Sequence, residues 1–162
     1  MIVADAGPIV AFARIRRLDL LRKVLGEIVI PQAVYDDLVV KGRGRSGAQG
    51  VESADWIRRR EIGNRRRLAE LPSELGEGER EAILFAEEEG ARLLVDDRKA
   101  REEAKRRGID VVGSLWVLAE AKRRGIVSEV RSIIKELVSA GYWIHEERLV
   151  RPFLREIGEE LT

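Results

Sequence analysis

Ile2-Val3-Ala4-Asp5-Ala6-Gly7-Pro8 is the stretch that decides the fold class. A short apolar run closed by an acid and a Gly-Pro break reads as a strand and a turn. The apolar residues that follow, Ile9, Phe12, Ala13, Leu18 and Leu21, recur at helical spacing. The same unit returns along the chain. Ile28-Val29-Ile30 is a β-branched run, and Pro31 suits the first turn of a helix over about Gln32 to Val40. Leu93-Leu94-Val95 reads as a strand ending in Asp96-Asp97, before a basic helix from about Arg98 to Arg107, and Val111-Val112 as a further strand. A helix is expected from Gly76 to Gly90. Ser114 is expected to cap a helix running to Arg124 with Gly125 as its stop, and Ser128 to cap one ending near Gly141. Lys41 to Gly50, with four glycines, reads as a mobile loop, Trp56-Ile57 opens an unassigned stretch, and a last amphipathic segment spans Glu146 to Ile157. Strands alternating with helices imply an α/β fold with a central, mostly parallel sheet covered by helices on both faces.

The 162 residues suit one domain over 1–162, with a helical C-terminal segment from about 128 packed on it. Thirty Lys and Arg against twenty-nine Asp and Glu leave a net charge of +1, so the average charge names no partner. The absence of cysteine excludes disulfides, thiolate zinc sites and cysteine nucleophiles, and a single histidine, His145, makes a histidine-built metal site or a Ser-His-Asp triad very hard to assemble. Carboxylates remain as the catalytic material. No apolar run approaches the roughly 20 residues of a membrane span and no signal-peptide pattern opens the chain, so a cytoplasmic protein is expected. Arg supplies 24 of the 30 basic residues, with one Asn, two Gln and one Thr, a composition of thermophile type.

In open α/β sheets ligands sit outside the carboxyl ends of the strands. Asp5 and Asp96-Asp97 both close strands, so they converge wherever those strands are neighbours. Each has a plain alternative as a turn former or helix cap. Glu79 heads a helical stripe with Ala82, Ile83, Ala86 and Gly90, whereas Glu77 and Glu81 fall on other faces and are expected in solvent or paired with the helix N-terminus. Asp37, and nearly as well Asp36, stands beside Ala33, Val34 and Val40. Carboxylates gathered at one point repel by roughly 4 kcal/mol per pair at 4 Å and an effective dielectric of 20. Such a cluster makes sense around a divalent cation, and an oxygen-only donor set favours Mg2+ or Mn2+. The chemistry implied is metal-assisted phosphodiester hydrolysis.

Asp5-Ala6-Gly7-Pro8, Ile30-Pro31-Gln32-Ala33-Val34-Tyr35-Asp36-Asp37-Leu38, Gly76-Glu77-Gly78-Glu79, Asp96-Asp97-Arg98 and Ala121-Lys122-Arg123-Arg124-Gly125 together resemble PIN-domain ribonucleases of the VapC-like toxin type. The resemblance runs over nearly the whole chain and is greatest to a prokaryotic PIN-like subgroup classed as a domain of unknown function. It implies a PIN-like three-layer α/β/α sandwich and an Mg2+- or Mn2+-dependent endonuclease acting on RNA. The implied catalytic set is Asp5, Asp37, Glu79 and Asp97, with Asp96 open as a metal ligand beside Asp97 and Asp36 beside Asp37. A small antitoxin that blocks the site and a homodimer are also implied. The sequence departs from the family pattern at Asp37, where Glu is common, and at Ala6 and Val95, where Thr or Ser is common. The alternative is therefore a catalytically weak or inactive PIN-like module that binds RNA or a protein.

Residues 58–67 hold six Arg and one Glu, so Arg58, Arg59, Arg60, Arg65, Arg66 and Arg67 form a candidate phosphate-binding patch. An ion-paired surface facing the six Glu of segment 77–89 is the competing reading. Trp116 and Trp143 are expected in packing, and His145 stands alone near a predicted helix start.

Overall fold

The computed structural model of the protein describes residues 1–45, 47–142 and 149–160; Trp143, His145 and the start of the last predicted segment lie outside them. Five strands form one parallel sheet in the order β3-β2-β1-β4-β5: β1 Ile2–Ala4, β2 Ile28–Pro31, β3 Ile57–Arg60, β4 Arg92–Leu94 and β5 Val111–Val112. Residues of the inner strands alternate between two apolar layers, as a period of two requires. Ala4, Ile28, Ile30 and Leu94 face the first layer, and Val3, Val29 and Leu93 face the second. This is why the strands read as continuous apolar runs rather than as polar-apolar alternation.

The first layer is closed by α1 (Ala6–Arg14), α2 (Leu18–Leu25), α7 (Ser114–Arg123), α8 (Arg131–Ser139) and α9 (Arg151–Glu156). Phe12, Leu21, Leu118, Ile134 and Leu154 are among its buried side chains. The second layer is closed by α5 (Glu77–Glu89) and α6 (Arg98–Arg106), through Ile83, Leu84, Ala100 and Ala104. The chain leaves β1 toward β2 and β3 on one side and later returns to β4 and β5 on the other. Since α1 follows β1 into the first layer and α6 follows β4 into the second, a crevice opens between the ends of these adjacent strands.

Several local expectations are corrected. β3 was unassigned because its residues, Ile-Arg-Arg-Arg, carry almost no apolar signal; as an edge strand it pairs with β2 alone. The predicted loop at 41–50 ends in a short helix, α4 (Ala48–Glu52). The helix after β2 begins as α3 (Gln32–Tyr35) and continues as a π turn over Asp36–Val40. Ser114 is the first residue of α7 rather than its cap, and both its N–H and its hydroxyl donate to Asp96, at 2.8 and 2.5 Å. Nor does Ser128 cap α8: the Glu159 carboxylate, brought by the turn after α9, accepts from the Val130 and Arg131 N–H groups. Among the described residues no helix is long and apolar enough to cross a membrane.

Candidate metal centre

The parallel pairing of β1 with β4 places Ala4 opposite Leu94, and the Asp5 N–H donates to the Leu94 carbonyl at 2.9 Å. Asp5 therefore sits at the mouth of the crevice, directly beside the turn that carries Asp96 and Asp97. α5 packs over β1 and β2 and brings Glu79, in its first turn, to the same mouth. The π turn after β2 supplies Asp37.

Asp5 is only 7% exposed. Burial raises its carboxyl pKa from 3.8 to about 7, and the carboxylates of Glu79, Asp97 and Asp37 add to the rise; the Ala6 backbone N–H opposes it only in part. Glu79 is pushed up as well, by burial first and by the charge of the neighbouring Asp97. Its Oε1 accepts from the Gly76 N–H at 3.0 Å, so the side chain caps its own helix while facing the site. Asp97 works in the same dual way. One oxygen accepts from the Ala100 N–H at 3.0 Å as the N-cap of α6.

Asp37 is the outermost of the four. It is half exposed and its Oδ1 pairs with Lys41 at 3.2 Å, so the apolar surroundings expected from sequence are found on one side only. Its Oδ2 lies against Gly78, where a Cβ would come within 2.9 Å of it and within 3.3 Å of Val34. Glycine at 78 leaves room for the Asp37 carboxylate and for Val34 of the preceding helical turn to lie against the start of α5.

The two open alternatives have other partners. Asp36 accepts from the Gln32 side-chain amide at 2.9 Å and is not among the carboxylates acting on Asp5. Asp96 is engaged by Ser114, and Tyr142 beside it has its ionisation suppressed by burial and by the Asp96 charge.

Glu81 corrects the expectation of a solvent position. Its carboxylate is 1% exposed, with Oε1 accepting from the Ala33 N–H at 3.1 Å and Oε2 from Arg65 at 3.2 Å. It thus ties the start of α3, and with it the Asp37 segment, to the helix that carries Glu79. The signal was present in the sequence, since Leu84 and Phe85, three and four residues on, are both buried.

The arginine run is divided. Arg58 pairs with Glu27, Arg65 with Glu77 and Glu81, and Arg67 with Glu70, Glu87 and Glu88. Arg59 lies over the Tyr35 ring at 4.2 Å. Arg60 ends β3 opposite Pro31, at the same sheet edge as the carboxylates, and Arg66 is exposed.

Among the described residues, no three carboxylates are already drawn in as tightly as ligands of one ion. The donor set nevertheless fits a hard divalent cation. Asp5, Asp37, Glu79 and Asp97 offer only oxygens, converge on one mouth, and press the buried member toward its neutral form, a cost that a cation would relieve.

Two outcomes follow. The native state holds the Asp5 proton between about pH 4 and pH 7, where the unfolded chain has released it, so metal-free stability falls as pH rises through that window, by at most about 1.4 kcal/mol per pH unit. Asp5→Asn removes that dependence: in urea denaturation with chelator, the variant gains on the wild type between about pH 4.5 and about pH 7.5. A constant difference would contradict the buried-carboxylate assignment. Glu81→Ala leaves the Ala33 N–H without its acceptor and costs about 2 to 4 kcal/mol, whereas Glu81→Gln, which still accepts there, costs less than half as much. Equal and small losses for both would remove Glu81 from the frame of the site.

The family model DUF3368, described as PIN domain, matches residues 1–159. Among solved structures, the chain is similar to a PilT N-terminus domain protein from the hyperthermophilic archaeon Sulfolobus solfataricus P2, at 19% identity and a TM-score of 0.48, over 90% of this chain and 98% of that one. None of the curated proteins matches in sequence. With its parallel five-stranded sheet, its crevice carboxylates and a family match over 159 of its 162 residues, the chain belongs to the PIN-domain family, whose fold is of nuclease type and whose members generally use divalent metals.

Proposed function

We propose that this protein is an Mg2+- or Mn2+-dependent endoribonuclease. The observation that supports it is the meeting of the buried Asp5 with three further carboxylates, Asp37, Glu79 and Asp97, each from a different segment of the chain. Asp5, Glu79 and Asp97 would hold the cation, and Asp37 would close the outer side once Lys41 releases it. A bound divalent ion supplies charge neutralisation for the scissile phosphate and a water of lowered pKa. The chain's own part is to hold these oxygens in place before substrate arrives. Asp97 is fixed by the Ala100 N–H, Glu79 by the Gly76 N–H, and the Asp37 segment by Glu81. Glu79, whose carboxyl is pushed upward by burial and by the neighbouring Asp97 charge, offers a place for a proton released near the phosphate.

The toxin role in a type II pair, with a small antitoxin covering this edge and a homodimer, rests on family resemblance. A catalytically weak RNA- or protein-binding module is the second reading, favoured by the ion pair that holds Asp37 away as a ligand. Purified protein and single-stranded RNA separate the two. Cleavage with Mn2+ or Mg2+, stopped by chelator and reduced at least about 100-fold by Asp5→Asn, is the expected result. Cleavage that is indifferent to Asp5→Asn would come from a contaminant, and a wild type that neither cleaves nor is stabilised by Mn2+ would leave the binding module.

A further inference from the structure

A cleft of about 430 Å3 lies beside the carboxylates, between α1, the π turn and residues 42–45 and 47–51. Asp37 stands on its wall, so it opens directly onto the candidate metal centre. Its floor is apolar, formed by Val10, Ala13 and Val51, and its rim carries Arg14 and Arg45. Both arginines are exposed, and among the described residues neither guanidinium group has an ion-pair or hydrogen-bond partner. That sets them apart from Arg58, Arg65 and Arg67, whose guanidinium groups are already engaged by glutamates. With Lys41 offsetting Asp37, the cleft has a cationic excess of two.

The wall is built rather than incidental. Gly47 adopts φ +96°, and a Cβ there would stand 2.5 Å from the Ala13 Cβ, so only glycine lets the loop close down on α1. Gly42 is equally confined, with its Cβ position 2.2 Å from the Leu38 carbonyl oxygen. A second cleft, of about 310 Å3, lies on the other flank of α1 and shares Val10 and Arg14. The exposed face of α1 is therefore a ridge between two depressions, running about 12 Å from Ala6, next to Asp5, to Arg14.

We infer that the cleft between α1 and residues 42–45 and 47–51 binds the nucleotide next to the scissile phosphate of a single-stranded RNA, with Arg14 and Arg45 on its phosphates and the apolar floor under its base or ribose. The inference rests on the nuclease reading and deepens it. A nucleotide matches the features together: the volume is that of a small-ligand site, the unpaired guanidinium forks suit phosphate oxygens, and an apolar floor accepts a base of any identity. The strand then follows the ridge, away from Asp5 toward Arg14.

Binding of a fluorescent single-stranded RNA, read by anisotropy in chelator so that no cleavage occurs, tests this across a series of salt concentrations. Arg14→Ala combined with Arg45→Ala weakens binding about tenfold and lowers the slope of log K against log salt by about 1.4, the value for two lost phosphate contacts on a single strand. Ala48→Phe, which fills the cleft without changing charge, weakens binding and leaves the slope as in the wild type; Lys105→Ala on α6 changes neither. Wild-type affinity and slope in the double arginine variant would overturn the inference. Failure of the nuclease reading looks different: strand binding that depends on Arg14 and Arg45, with no cleavage on adding Mn2+, keeps the cleft and removes the reaction. Cleavage by a wild type whose binding ignores both arginines does the reverse.

Discussion

The burial of one carboxylate, Asp5, at the junction of β1 and β4 is the constraint around which the rest of the molecule is organised. A charge in that position is expensive unless it is neutralised by a proton or a cation. The surroundings supply three further carboxylates instead of a guanidinium, which raises the cost. Nothing in folding alone rewards such an arrangement. It is understandable as a site held ready for a positive ion, with stability given up at neutral pH in exchange for affinity.

Holding that site open falls to acids that cap helices. Glu81 accepts from the start of α3, Asp97 from α6, Asp96 from α7 and Glu159 from α8, three of these four carboxylates reaching across from another segment of the chain. Each satisfies backbone N–H groups that a helix start leaves without partners, and the three that reach across tie the capped helix to another part of the fold. The high acidic content is thus divided between a mouth where, of the four carboxylates, only the outermost Asp37 is paired with a cation, Lys41, and a frame where they are bound by N–H groups or arginines. The same division holds for the basic residues. Arg58, Arg65 and Arg67 are absorbed into the frame, and Arg14 and Arg45 remain open beside the mouth.

Most of the fold was legible from Ile2-Val3-Ala4, Ile28-Val29-Ile30 and Leu93-Leu94-Val95, because strands buried on both faces leave an unbroken apolar mark. The convergence of Asp5, Glu79 and Asp97 was legible too, since two close strands and the third heads a buried helical stripe. β3 was not, because an edge strand of three arginines has no apolar period to detect. Glu81 was misplaced for a different reason: the Leu84 and Phe85 stripe that it heads marks its burial, but the partners that make burial tolerable, the Ala33 N–H and Arg65, are 48 and 16 residues away and no local pattern encodes them. The choice between ion-paired and open arginines was equally hidden. It depends on which glutamates the tertiary structure brings near, such as Glu27 for Arg58 and Glu87 for Arg67.

The most direct test of a shared cation site is a crystal structure grown or soaked with Mn2+, read from its anomalous difference density. The account predicts one peak at the mouth between β1 and β4, in contact with carboxylate oxygens of Asp5 and Asp97 and within reach of Glu79 and Asp37. A map with no peak there, or with Mn2+ only on surface acids such as Glu87 and Glu103, would contradict it.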